Sequence, residues 1–137
     1  MDTNRPILVI EDDSDDSSFI FSFLKEIQEQ EVICFKNGLK ALDFLVVTKD
    51  KPFIIFCDMN MNVMNGLELL KKIQHHEDLR VKSIPFVFLT TAVQQEVVNK
   101  VFTYPLQGFF IKPDNDKDFR ELLKDVVSYW SKSYHPE

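Results

Sequence analysis

Five short apolar runs punctuate the chain: Pro6 to Ile10, Val32 to Phe35, Phe53 to Cys57, Ile84 to Leu89 and Gly108 to Ile111. Each has the length of a strand and gives way to polar or turn-forming residues. The central run, FIIFC, follows Lys51-Pro52 and shows no alternation of apolar with polar positions, so it reads as a parallel strand buried on both faces. Between the runs the apolar positions fall at helical spacing. Ile20, Phe23, Leu24 and Ile27 share one helix face, and Leu39, Leu42, Asp43 and Val46 mark the turns of a second helix near Leu39–Val47. A third runs from Leu67 to about His76, a fourth over Val93–Phe102, and a last one to about Ser133, its stripe formed by Phe119, Leu122, Leu123, Val126, Val127 and Trp130.

The punctuation agrees with this reading. Ser14 or Asp15 is placed to cap the first helix, Asn37-Gly38 turns into the second, and Asn65 with Glu68 fits N-cap and N3 of the third. Tyr104-Pro105 ends the fourth helix, and Asp114-Asn115-Asp116 caps the last. Strand and helix alternate five times, which predicts right-handed crossovers and a parallel sheet with helices on both faces. No internal repeat, low-complexity tract or linker interrupts the pattern, so we expect one domain over residues 1–137 with no output domain.

Composition narrows the function classes. The chain has 137 residues, 45% of them hydrophobic and 28% charged, with 13 Phe to fill one globular core. A net charge of −6 lacks the electrostatic footprint of a nucleic-acid or anionic-membrane binder. The apolar runs are far too short to span a bilayer, and MDTNRPILVIEDD has no signal-peptide pattern, so a cytoplasmic protein is expected. Cys34 and Cys57 both sit in apolar, strand-like surroundings and are expected to be buried free thiols. His75 and His76 project about 100° apart on a helix, a poor arrangement for chelating one metal, and read as a solvated helix end.

The chemistry gathers at the strand ends. The first strand runs into Glu11-Asp12-Asp13-Ser14-Asp15-Asp16, five carboxylates in six residues. Asp15 and Asp16 are accounted for as first-turn acids that suit a helix N-terminus. Glu11 and Asp12 are not, because at a strand end they repel one another unless a cation joins them. Asp58 ends the third strand, Thr90 the fourth and Lys112 the fifth. In a parallel sheet these ends share one edge, where open α/β sheets bind their ligands. Hard carboxylate oxygens favour Mg2+, which keeps waters and is commonly completed by a phosphate. An ammonium and a hydroxyl beside that metal suit a phosphoryl group, and Asp58 can then act as a nucleophile that forms an acyl phosphate.

The stretches ILVIEDD, IIFCDMNMNVMNGLELL, IPFVFLTTA and GFFIKP, in this order and in these elements, are similar to the receiver domains of two-component response regulators over nearly the whole chain. The resemblance implies a flavodoxin-like (βα)5 three-layer sandwich with sheet order 2-1-3-4-5. It implies that Asp58 is the phosphoacceptor, that Asp12 binds Mg2+ directly with Glu11 as a water-mediated companion, and that Asn60 supplies a backbone carbonyl. Thr90 and Lys112 match the phosphate-sensing hydroxyl and lysine, Phe109 the aromatic switch, and Lys112-Pro113 a cis peptide. The implied partners are a sensor histidine kinase or a histidine phosphotransfer protein, and a homodimer through the fourth and fifth predicted helices and the fifth strand. The domain would be a phospho-accepting module and not an enzyme in its own right. Asn62 stands where proline is common, Thr91 where a smaller residue is usual, and Phe109 lacks the hydroxyl of a frequent Tyr. The EDD-x-DD opening, the LTT triplet and Tyr129-Trp130 resemble small stand-alone receivers that partner bacterial light-sensing kinases.

Three other readings compete. A degenerate receiver that binds partners without phosphorylation would not need the complete residue set present here. A phosphatase of the haloacid-dehalogenase type needs a second acid two residues after its nucleophile, where this chain has Asn60. A flavodoxin needs donors where Glu11-Asp12-Asp13 would repel the cofactor's phosphate.

Overall fold

The computed structural model describes residues 5–134, and Met1–Asn4 of the N-terminal stretch read above lie outside the described residues. The elements follow in the order β1 (Ile7–Ile10), α1 (Ser14–Ile27), β2 (Val32–Phe35), α2 (Gly38–Val47), β3 (Ile54–Cys57), α3 (Gly66–His75), α4 (Glu77–Arg80), β4 (Phe86–Thr90), α5 (Gln95–Val101), β5 (Gly108–Ile111) and α6 (Asp116–Ser131). The strands form one parallel sheet in the order β2-β1-β3-β4-β5. This is the flavodoxin-like arrangement expected, with one helix more than the sequence pattern indicated.

Because side chains alternate across a strand, each buried strand feeds two cores. Ile7, Val9, Ile54, Phe56, Val87 and Leu89 pack with Ile20, Phe23 and Leu24 of α1 and Phe119, Leu123 and Val127 of α6. Leu8, Ile10, Ile55, Cys57, Phe86 and Phe88 pack on the opposite face with Ala41 and Leu45 of α2, Leu69, Leu70 and Ile73 of α3, and Val101 beside them. Apart from Thr90 at the end of β4, the three interior strands are apolar throughout, which is why their runs do not alternate in sequence. Full burial of each such side chain is worth about 1.5–3 kcal/mol.

Several local expectations are corrected. The N-cap of α1 is Asp13, whose carboxylate accepts from the N–H groups of Asp15 and Asp16, and not Ser14 or Asp15. The stretch read as a solvated helix end contains a further turn, α4. His76 caps it, its Nδ1 accepting from the Leu79 N–H at 3.3 Å, and Leu79 anchors it in the core. A four-residue helix is too short to show a period, so the sequence pattern could not reveal it. Cys34 is exposed on edge strand β2 instead of buried, whereas Cys57 is buried as expected. The fourth predicted helix begins later, at Gln95, and the fourth strand two residues later, at Phe86.

The loop from Asp58 to α3 is pinned at both ends. Asn65 and Glu68 form a full capping box at the start of α3, as expected. Gly66 donates its N–H to the Met59 carbonyl, and its α-carbon sits so close to β3 and β4 that a Cβ would lie 2.5 Å from Phe88 and 2.6 Å from the Asp58 carbonyl. Met64 takes a left-handed φ of 52°, and its carbonyl would lie 2.6 Å from a Cβ on Gly38 of α2. Gly66→Ala should therefore destabilise the fold by about 2–3 kcal/mol, read as a lower midpoint in urea unfolding, since the methyl group meets a buried ring and a backbone atom.

Candidate functional site

The hydrogen-bond ladder carries past the ends of the strands and places the site. Glu11 donates its N–H to the Phe35 carbonyl at 2.9 Å, Asp58 to that of Ile10 at 2.9 Å and Lys112 to that of Thr90 at 2.7 Å. These residues are thus held in backbone register although they lie beyond β1, β3 and β5. Alternation then sorts them by face. Glu11, Asp58 and Lys112 continue the parity of Val9, Phe56 and Phe110, which belong to the core under α1 and α6. Thr90 and Phe109 share the parity of Phe88, which belongs to the opposite core.

On the α1 face, the Lys112 ammonium is the hub. Nζ donates to Glu11 Oε1 at 2.5 Å and to Asp16 Oδ2 at 2.7 Å, and lies 3.7 Å from Asp58 Oδ2. Glu11, Asp58 and Lys112 are buried, with 3%, 8% and 8% of their surface exposed. Burial pushes the Glu11 carboxyl up to about 8, with Asp58 adding to the rise and Lys112 opposing it. Burial alone would lower the Lys112 ammonium, but its bonds to Asp16 and Glu11 outweigh that and hold it above its ordinary value. Burial likewise raises the Cys57 thiol, and its Sγ donates to the Asp58 carbonyl, so it is an inert core group.

On the other side, Asn60 ties the Asp58 loop to the end of β4. Its backbone N–H donates to Asp58 Oδ1 at 3.2 Å, and its side-chain amide donates to Thr90 Oγ1 at 3.2 Å and to the Ala92 carbonyl at 3.3 Å. Phe109 is half-buried, its ring 5.4 Å from that of Phe88 and 6.4 Å from that of Phe102.

Carboxylate oxygens of Glu11, Asp12 and Asp58 all lie within 4.8 Å of one another. An all-carboxylate set of this kind fits a hard divalent cation and not a soft one. Asp12 is exposed at the rim and the other two are buried, so the set opens toward solvent on one side.

The sequence model of the response regulator receiver domain matches residues 7–124. The chain belongs to this family. Response regulator Rcp1 of Synechocystis sp. is 30% identical over 137 residues, covering 94% of this receiver and 92% of Rcp1. A chemotaxis protein CheY homolog of Campylobacter jejuni is 28% identical, covering 88% of this receiver and 91% of its own length. The Mn2+-bound form of response regulator Rcp1 superposes with a TM-score of 0.85 at 28% identity, over 97% of this chain and 99% of that one. The receiver is thus a two-component signalling domain, and no helix among its described residues is long and apolar enough to cross a membrane.

Every site residue named from the sequence falls within this one region, on two sides of the sheet edge. One expectation fails and another is incomplete. No cis peptide occurs among the described residues, so Lys112-Pro113 is trans. Trans is the lower-energy form of an X-Pro bond, and the trans chain already brings Nζ to Glu11 and Asp58. Asp16, assigned above only to the helix terminus, is also a direct partner of Lys112. The overlooked signal was parity: α1 lies on the face toward which Lys112 projects.

The raised Glu11 gives a signed pH dependence. The folded receiver keeps a proton on Glu11 that the unfolded chain releases in the ordinary carboxylate range, so the folded state binds more protons and stability falls as pH rises. Over the interval from about 4.5 to about 8, Glu11→Gln should gain stability relative to wild type in cation-free urea unfolding. A pH-independent difference between the two would contradict the assignment.

Proposed function

We propose that this receiver accepts a phosphoryl group on Asp58 from a phosphohistidine of a sensor histidine kinase or a phosphotransfer protein, and signals by binding a partner or by passing the phosphate on. The observation that carries the reading is the Asp58 carboxylate, nearly buried at the end of a central strand, with an ammonium 3.7 Å away and two further acids at its side. The domain is taken to act in the cytoplasm.

An Asp58 oxygen attacks the phosphorus of the donor. A P–O bond forms, the P–N bond breaks, and the imidazole leaves with the electron pair and takes a proton from solvent. Lys112 donates to the incoming phosphoryl oxygens, and Thr90 does so once its hydroxyl leaves the Asn60 amide. Glu11, Asp12, Asp58 and the Asn60 carbonyl would hold a divalent cation, Mg2+ in the cell, which when bound neutralises phosphoryl charge. The half-buried position of Phe109 beside Phe102 and Phe88 suits a ring that turns inward when Thr90 moves. The face formed by α5, β5 and α6 presents Phe102, Ile111 and Tyr129 to solvent, and is the surface we assign to partner binding or self-association.

Acetyl phosphate with Mg2+ should add the mass of one phosphoryl group to the intact protein. Asp58→Ala or EDTA should abolish the addition, and equal labelling of the variant would overturn the assignment. Beryllofluoride with Mg2+ should shift backbone NMR signals around Thr90, Phe109 and α5, as expected if binding biases a pre-existing equilibrium. Thr90→Ala should keep the labelling at Asp58 and lose the shifts in α5. Retention of all of them would show that the signal does not pass through Thr90.

A further inference from the structure

The contact between Asp16 and Lys112 is not needed to fold α1. The helix is already capped by Asp13, and Asp15 already supplies an acid in the first turn. Asp16 instead turns its carboxylate toward the site and accepts a hydrogen bond from one of the three N–H groups of the Lys112 ammonium at 2.7 Å. Its side chain keeps 33% of its surface exposed, and it lines a cavity of about 400 Å³ with Thr91, Pro113 and Phe119, next to the α1 side of Lys112. Asp16 is outside the carboxylate set formed by Glu11, Asp12 and Asp58.

This arrangement bears on how a cation enters. Lys112 bonds Glu11 and faces Asp58, so its ammonium lies against two of the three acids that would hold the cation. A divalent ion and an ammonium compete for the same two carboxylates, Glu11 and Asp58. The ammonium must give up part of its hold on Glu11, and a buried ammonium that gives up a partner without a replacement pays a desolvation penalty. Asp16 is the partner that stays, already bonded and partly hydrated, so the ammonium is not left without a carboxylate.

We propose that Asp16 is a positioning residue for Lys112: it holds the ammonium on the α1 side while Glu11, Asp12 and Asp58 take up the divalent cation. The inference rests on the proposed function of the site, because it presumes that those three acids bind a cation. Its content lies in the coupling between Asp16 and Lys112. Removing Asp16 deletes one nearby negative charge and also leaves Lys112 with only Glu11 and Asp58 to bond. The first effect acts whether or not Lys112 is present. The second requires Lys112.

A double-mutant cycle separates the two. Mn2+ and Mg2+ are titrated by calorimetry into wild type, Asp16→Asn, Lys112→Met and the double variant. Asp16→Asn should weaken cation binding about five-fold or more in the wild-type background and by a distinctly smaller factor in the Lys112→Met background. Equal factors in the two backgrounds, or no loss in Asp16→Asn, overturn the role of Asp16. The wild-type titration stands apart: a wild type that binds neither ion defeats the reading of the site itself and the inference with it. Asp16→Ser, which keeps a small polar side chain in the first turn, serves should Asp16→Asn not fold. The 1H–15N signal of the Lys112 ammonium gives a second readout, since it should shift on substitution of Asp16 even without cation. An unchanged signal would show that the contact does not hold the ammonium in solution.

Discussion

A single ammonium group balances a cleft that its acids would otherwise push apart. Carboxylate oxygens of Glu11, Asp12 and Asp58 lie within 4.8 Å of one another, and two full charges at that separation repel by about 3.5 kcal/mol at an effective dielectric of about 20. Lys112 meets Glu11 and Asp16 and stands 3.7 Å from Asp58. Burial displaces the Glu11 carboxyl upward, Lys112 opposes that rise and Asp58 adds to it. A divalent ion would relieve the same strain from the other side. The receiver is thus built with a deficit of positive charge at one point, and the rest of the sheet keeps that point fixed.

The rigidity comes from the backbone. Glu11, Asp58 and Lys112 extend beyond their strands yet remain on the ladder, so their separations are set by strand spacing and not by loop conformation. The loop after Asp58 is closed down by Gly38 and Gly66, two positions where a side chain would meet backbone atoms. Within the loop, Asn60 bridges to Thr90 and Ala92.

The fold was legible because its strands are buried on both faces, and an apolar run flanked by helical periods has few other interpretations. The strand-end placement of Asp58, Thr90 and Lys112 was legible for the same reason, the Asn65–Glu68 capping box from its own residue types, and the sheet order from the resemblance to receiver domains. What escaped was information that sequence pattern does not hold. The four-residue α4 is shorter than a readable period. Cys34 has apolar neighbours in sequence, but strand order, a long-range property, puts it on an edge and exposes it. Asp16 satisfied a helix-terminus explanation so well that its second role was hidden, and only the side-chain contact with Lys112, 96 residues away, reveals it.

The alternation of side chains across β3, β4 and β5 has a consequence for how such a domain can diversify. Asp58, Glu11 and Lys112 lie on one side of the sheet, whereas Thr90 and Phe109 lie on the other, next to the surface of α5. On the proposed reading, the carboxylates and ammonium that handle the phosphoryl group and the α5 surface that reports it lie on opposite sides of one layer of peptide, with Asn60 and Thr90 as the bridge between them. Substitutions beside Lys112, at Asp16 or Thr91, and substitutions that redirect recognition at Phe102, beside Phe109, then fall on opposite sides of the sheet. Duplicated copies of such a domain could change partners without relearning their chemistry.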